Sequence, residues 1–248
     1  MMKVDRCSAF LSRAGWVAIL AALVSGYVTS EPVLAQSSVT APDSTATRVM
    51  ACTACHGEKG QGGRDDYFPR LAGKPSAYLF HQLVAFRDGQ RKYPPMNYLL
   101  AYLPDSYLRE MADYFAAQHA PFPELPRPDV SPEVMGLGKK LAMEGDETRH
   151  IPSCAACHGP TLTGVEPGIP SLLGLHSKYI SAQLGASRYG TRVITTSQCM
   201  QKVASQLSEE DIAAVSAWLS SLPAPENPAP ASAGSLKLAL TCDSGEVK

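Results

Sequence analysis

Two six-residue stretches, Cys52-Thr53-Ala54-Cys55-His56-Gly57 and Cys154-Ala155-Ala156-Cys157-His158-Gly159, stand 102 residues apart in a chain of 248. Each is a Cys-x-x-Cys-His motif. Cysteines three apart lie on one side of a helical turn. Two such thiols can add to the two vinyl groups of one porphyrin, and the adjacent histidine can then aim its imidazole at the iron. The pair of motifs predicts two covalently bound haem c groups, attached through Cys52, Cys55, Cys154 and Cys157, with His56 and His158 as iron ligands. A four-cysteine zinc site would set its Cys-x-x-Cys pairs about 15–20 residues apart. A thioredoxin-like redox pair needs a strand–helix context that the sequence lacks.

Working outward, the similarity extends well past the motifs. At an offset of 101, Pro69, Leu71, Gly73, Tyr78, Gln82, Leu83, Arg87, Gly89 and Arg91 meet Pro170, Leu172, Gly174, Tyr179, Gln183, Leu184, Arg188, Gly190 and Arg192. At an offset of 104, Met96, Leu103 and Leu108 meet Met200, Leu207 and Ile212. Small changes of offset are small loop insertions between equivalent elements, so the chain reads as two copies of one small domain. The matched methionines follow His56 and His158 by 40 and 42 residues. Pro94-Pro95 predicts a loop around Met96. A lone methionine is usually core filler, but a matched pair at equivalent loop positions points to sixth ligands. Thioether ligation opposite histidine raises the potential and suits electron transfer.

The expected fold class is all-α. Apolar residues recur at helical spacing over 75–88, 105–118 and 209–222, and residues 134–143 open the second copy with another helix. Gly89 is placed to end the first of these, and Ser208 with Asp211 resembles a capping box. No stretch alternates as a strand would. Residues 1–35 read as a secretory signal peptide: Lys3, Arg6 and Arg13, an apolar run from Ala14 to Val24, and a small-residue cleavage site at Ala35. A retained membrane anchor is the alternative. Residues 36–45 read as a flexible segment, 46–122 as the first domain, 123–130 as a Pro-rich linker, 131–223 as the second domain, and 224–248 as a Pro/Ala-rich tail. The net charge of −1 removes the bulk electrostatic argument for nucleic-acid binding, and 45% hydrophobic residues argue against disorder.

The whole pattern resembles the di-haem cytochrome c4 family, two class I c-type cytochrome domains in tandem. The resemblance covers about residues 46–222. It is carried by Cys52–His56, Phe68-Pro69-Arg70-Leu71-Ala72-Gly73, Tyr78, Gln82-Leu83, Gly89, Met96 and Tyr114-Phe115. In the second copy it is carried by Ile169-Pro170-Ser171-Leu172, Tyr179, Gln183-Leu184, Gly190, Met200 and Trp218. It implies small helices wrapped around each haem, and carbonyls of Pro69 and Pro170 that accept the proximal histidine Nδ1–H. It also implies haems close enough to exchange electrons, and a periplasmic carrier working toward a terminal oxidase, in some members at the membrane. The donor would be a quinol-oxidising complex or a dehydrogenase.

Two cysteines depart from the pattern. Cys199 immediately precedes Met200, and Cys242 lies in the tail. In an oxidising compartment a disulfide between them is the plainest reading. A Cys199 that ligates or reacts near iron, as in some di-haem thiosulfate dehydrogenases, is the sharper one. Free thiols and intermolecular pairing stay open. An enzyme (peroxidase or thiosulfate dehydrogenase) and an electron-transfer subunit of a larger dehydrogenase or oxidase are therefore the rival functions. His81, His119, His150 and His176 read as surface or helix-end residues. Lys139-Lys140 and Arg87, Arg91 and Lys92 read as solvated faces, or else as docking patches for an acidic redox partner.

Overall fold

Gly57 and Gly159, the residues after each motif histidine, take φ of +84° and +85°. Glycine adopts that region without a Cβ penalty, and there each motif helix stops. The structure is a computed structural model and describes residues 43–63, 65–192 and 198–239. The leader read over residues 1–35 and the tail's Cys242 lie outside the described residues. Within these limits the molecule holds ten α-helices and isolated β-bridges, without a sheet. No helix among the described residues is long and apolar enough to cross a membrane.

The first repeat starts with α1 (Thr45–Arg48), capped by the Ser44 hydroxyl, and α2 (Met50–His56), which carries the first motif. α3 (Ser76–Arg87) and α5 (Asp105–Ala116) match the spans expected from periodicity. Leu108, Met111, Ala112 and Phe115 form the buried stripe of α5. They join Val49, Leu79, Phe80, Phe86 and Leu100 in one core. Leu100 and Leu108 are fully buried, and each contributes about 2 kcal/mol.

α4 (Pro94–Leu100) overturns the expected loop at Met96. Pro94 and Pro95 occupy the first helical turn, where a missing N–H costs nothing and a fixed φ suits the helix. The Asn97 side chain accepts the Tyr93 N–H at 2.8 Å and secures that start. Met200 likewise lies in a helix, as the second residue of α9 (Cys199–Gln206). The two methionines are equivalent, but at helix starts rather than in loops.

The second repeat contains α6 (Pro132–Met143), a 3-10 turn at Glu147–Arg149, α7 (Ala155–His158), α8 (Ser177–Arg188), α9 and α10 (Glu209–Ser220). The Ser208–Asp211 capping box forms: the serine hydroxyl accepts from Asp211 N–H, and the aspartate accepts from Ser208 N–H at 2.8 Å. Arg149 donates to the same carboxylate at 2.7 Å and ties the 3-10 turn to α10. α6 and α10 cross at Gly138, where a Cβ would come within 2.2 Å of the Ala214 carbonyl oxygen.

Polar side chains join the two repeats. Arg91 donates to Gln82 in its own repeat, and across the boundary to Tyr179 Oη at 2.9 Å and Gln183 Oε1 at 2.7 Å. Arg192, its counterpart, reaches back to Tyr78 Oη at 3.2 Å and Gln82 Oε1 at 2.8 Å. Lys74, fully enclosed, donates to the Ser171 carbonyl at 2.7 Å. Two expectations change. Arg91 is buried, so it belongs neither to a solvated face nor to a docking patch. His176 sits at the N-cap of α8, as a helix-end residue, yet it is buried: its Nε2–H donates to the Gly63 carbonyl, and Nδ1 lies 3.1 Å from Asp66. His119, His150, Lys92, Lys139 and Lys140 are exposed, and His81 is half-buried.

The Pro-rich connection carries no helix between α5 and α6. Arg70 fastens its start by donating to the Ala120 and Pro121 carbonyls, both at 2.6 Å, with its guanidinium 4.1 Å from the Phe122 ring centroid. Beyond α10 the described residues, through 239, hold no helix, and Ala231 pairs with Gly164 and Glu166.

Gly138→Ala is expected to lower stability by about 1–3 kcal/mol through overpacking. Denaturant titration of the holoprotein reads this, and an unchanged midpoint would mean the helices are not in contact there. Arg91→Met removes the donor to the part-buried Tyr179 Oη and Gln183 Oε1, while Gln82 Oε1 keeps Arg192, a cost of about 1–3 kcal/mol. Calorimetry should show the two repeats unfolding less cooperatively, whereas a single unshifted transition would deny the arginine its bridging role.

Candidate haem sites

In each motif the helix sets the chemistry. Cys52, Cys55 and His56 ride on α2; Cys154 caps α7, which then carries Cys157 and His158. Both histidines are buried, at 7% exposure. His56 Nδ1 lies 2.8 Å from the Pro69 carbonyl oxygen, and His158 Nδ1 lies 2.8 Å from that of Pro170. A carbonyl only accepts, so each Nδ1 carries the proton and donates. The Nε2 lone pair is then left for a metal. Burial pushes the His158 pKa down to about 4 and lowers that of His56 as well, so both imidazoles are neutral.

A cavity of about 550 Å³ opens beside His158. Its volume is in the range of sites that enclose an organic cofactor. Cys157, His158, Pro170 and Met200 share its wall with apolar Leu172, Leu175, Ile180 and Leu184. Lys74, Tyr78, Gln82 and Arg192 supply the polar side. Among the described residues, Gln82 Nε2 and Arg192 Nε are buried without a hydrogen-bond partner, and Lys74 has a carbonyl but no carboxylate against it. A flat apolar macrocycle with an acidic edge fits that wall: hydrocarbon on one side, unsatisfied donors and cations on the other. Burial, with Arg70 and Arg192 nearby, pulls the Lys74 pKa down to about 8.

The structure brings Met200 and His158 onto one cavity. In the first repeat, Cys52 and Met96 both border the same apolar core. Cys199 is disulfide-bonded, while its expected partner, Cys242, lies outside the described residues. Burial raises the thiols of Cys52 and Cys154 to about 11. A redox-active Cys-x-x-Cys pair requires the opposite, a thiol shifted toward thiolate. Among the described residues no three His, Cys, Asp or Glu side chains converge as a metal-ion site, and the two Cys-x-x-Cys units sit in separate repeats.

Sequence reasoning missed the polar seam. Tyr78, Gln82 and Arg91 with Tyr179, Gln183 and Arg192 were visible as repeat marks. Matched polar residues at equivalent helix positions were the available signal that the copies face each other.

Comparison with known proteins agrees with this geometry. The family model for cytochrome c matches residues 45–112 and 137–223, one copy on each repeat. The thiosulfate dehydrogenase electron acceptor of Stutzerimonas stutzeri is 37% identical over 174 residues, covering 70% of this chain and 79% of that protein. Cytochrome c4 of Pseudomonas aeruginosa is 35% identical over 177 residues, covering 71% of this chain and 85% of that protein. The crystal structure of reduced recombinant cytochrome c4 from Pseudomonas stutzeri superposes with a TM-score of 0.63 at 32% identity. It covers 72% of this chain and 97% of its own. With two cytochrome c modules and relatives of this closeness across both, the chain belongs to the di-haem cytochrome c4 family, electron carriers with two covalently bound haem c groups and redox-protein partners.

Proposed function

We propose that the two haems are held by equivalent ligand sets, His56 with Met96 and His158 with Met200, and are joined by thioethers through Cys52, Cys55, Cys154 and Cys157. The observation that carries this reading is the paired Nδ1–H bond to Pro69 and Pro170, which readies both Nε2 atoms for iron. Haem, when bound, supplies one-electron Fe(III)/Fe(II) cycling. The chain's own contribution is positional. Pro69 and Pro170 fix each imidazole's tautomer and orientation and make it a better donor. Apolar walls exclude water, and the seam of Lys74, Arg91 and Arg192 offers cations to acidic edges. Short helices hold the two methionines at equivalent places in the repeats.

The protein then works as an exported, periplasmic carrier that takes electrons from a dehydrogenase and passes them toward a terminal oxidase. Similarity to a thiosulfate dehydrogenase electron acceptor supports a thiosulfate-oxidising enzyme as the donor class. The domain limits of 46–122 and 131–223, with a linker over 123–130, suit this arrangement. Cys199 pairs with Cys242 and serves a structural role.

Near-infrared charge-transfer bands of the ferric protein, normalised to pyridine haemochrome haem, should count two methionine-ligated haems per chain. Met96→Ala and Met200→Ala should each remove one. A single methionine-ligated haem beside a thiolate or high-spin signal would overturn the assignment and favour an enzyme acting at the second haem. Peptide mapping without reductant should recover a Cys199–Cys242 disulfide; either cysteine in another linkage would refute the pairing.

A further inference from the structure

We infer that the C-terminal segment up to residue 239 is a built-in cover for the second haem pocket. The inference rests on the haem reading above but uses residues outside the cytochrome c module, whose match ends at residue 223. Ala231 anchors the segment: its carbonyl accepts the Glu166 N–H at 2.8 Å, and its own N–H donates to the Gly164 carbonyl at 2.9 Å. Both partners belong to the loop that leads from His158 to Pro170. Past this anchor, Ala233, Gly234, Leu236 and Leu238 line the cavity that also holds His158 and Met200.

The sequence of the segment suits that task. Leu236 and Leu238 are half-buried while Lys237 between them is exposed. That alternation is what an extended chain shows when one face meets an apolar wall and the other meets water. The prolines at 223, 225, 228 and 230 keep the approach from continuing α10 as a helix. None of the three apolar cores includes a residue beyond Leu222, so core packing does not explain the segment. The equivalent stretch of the first repeat, after α5, becomes the connection held by Arg70 and leads into the second repeat. The cover is thus an addition to one site only.

Met200 gives the cover its purpose. It is 37% exposed, and it shares its wall with Leu236 and Leu238. A thioether is a weak ligand, and it is lost when a competing donor reaches the iron from solvent. A chain segment across the mouth of the pocket slows that entry without adding a ligand of its own.

The test uses full-length ferric holoprotein, the chain ending at Asn227 with Cys199→Ser so that no free thiol is left beside Met200, and the double variant L236D/L238D, each mixed with imidazole. Loss of the methionine charge-transfer band and the Soret change are followed per haem. Both altered proteins should bind imidazole roughly tenfold faster at one of their two haems, the change that accompanies losing about 1.4 kcal/mol of protection against local opening. The other haem should keep its rate. Unchanged rates in both proteins would sink the cover, and so would equal acceleration at both haems. Far-UV circular dichroism checks the truncated chain, and the double variant decides if truncation unfolds it. Fewer than two methionine bands in the full-length protein before imidazole is added would instead overturn the ligand assignment, while the Soret rates would still report on the cover.

Discussion

The hydrogen bond from a buried histidine Nδ1 to a proline carbonyl constrains each half of this molecule. For that bond to form, the chain must leave the motif helix, turn, and return 12 or 13 residues later to present a carbonyl to the ring it has just passed. Glycine at 57 and 159 makes the exit. In the first repeat the return is braced by backbone bonds from Leu71 and Ala72 to the Gly60 carbonyl, and in the second by one from Leu172 to Leu162. Proline suits the acceptor position because it cannot donate and its φ is fixed. The same geometry that settles the tautomer therefore sets the loop, and the loop sets where α3 and α8 begin.

The second constraint lies between the repeats. Lys74 and Arg91 are enclosed there, with Arg192 half-buried beside them, and all three meet amide, phenol or carbonyl oxygens rather than carboxylates. Buried cations without anions are costly. In this seam the cost is consistent with acidic groups that arrive with the haems. Folding of the interface and loading of the second pocket would then be linked, with a haem's acidic groups supplying charge that Lys74 and Arg192 lack from the polypeptide. The partnerless Gln82 Nε2 and Arg192 Nε mark the same shortfall.

The haem motifs were legible because their chemistry needs contiguous residues: two thiols and an imidazole within five positions. The long helices were legible because their apolar stripes are local patterns, and the Ser208–Asp211 cap because it spans four residues. What could not be read depended on contacts between distant residues. Pro94-Pro95 reads as a loop signal, yet the same pair is favourable in a first helical turn, and only the fold around Asn97 distinguishes the two. Arg91 and His176 carry the composition of a surface. Their burial follows from partners 92 and 113 residues away. A charged residue in a sequence carries no mark of the tyrosine, amide or carbonyl it will meet in the other copy.

Where the repeats face each other they match at some positions and differ at others, and this has a physical logic. Two identical domains related by a rough twofold would place like residues against like, and two buried lysines in one seam would repel. Lys74 has Leu175 as its counterpart and Arg70 has Ser171, so the cationic member appears once at each of those positions. The Arg91 and Arg192 pair is kept in both copies because each arginine crosses to the other copy's tyrosine and glutamine, satisfying both without stacking the charges. Lys74 of the first repeat lines the second pocket, and so do Ala233, Gly234, Leu236 and Leu238 of the C-terminal segment. Charge and burial are among the quantities by which a polypeptide tunes a haem, and at the second pocket Lys74 and Arg192 stand beside an apolar wall.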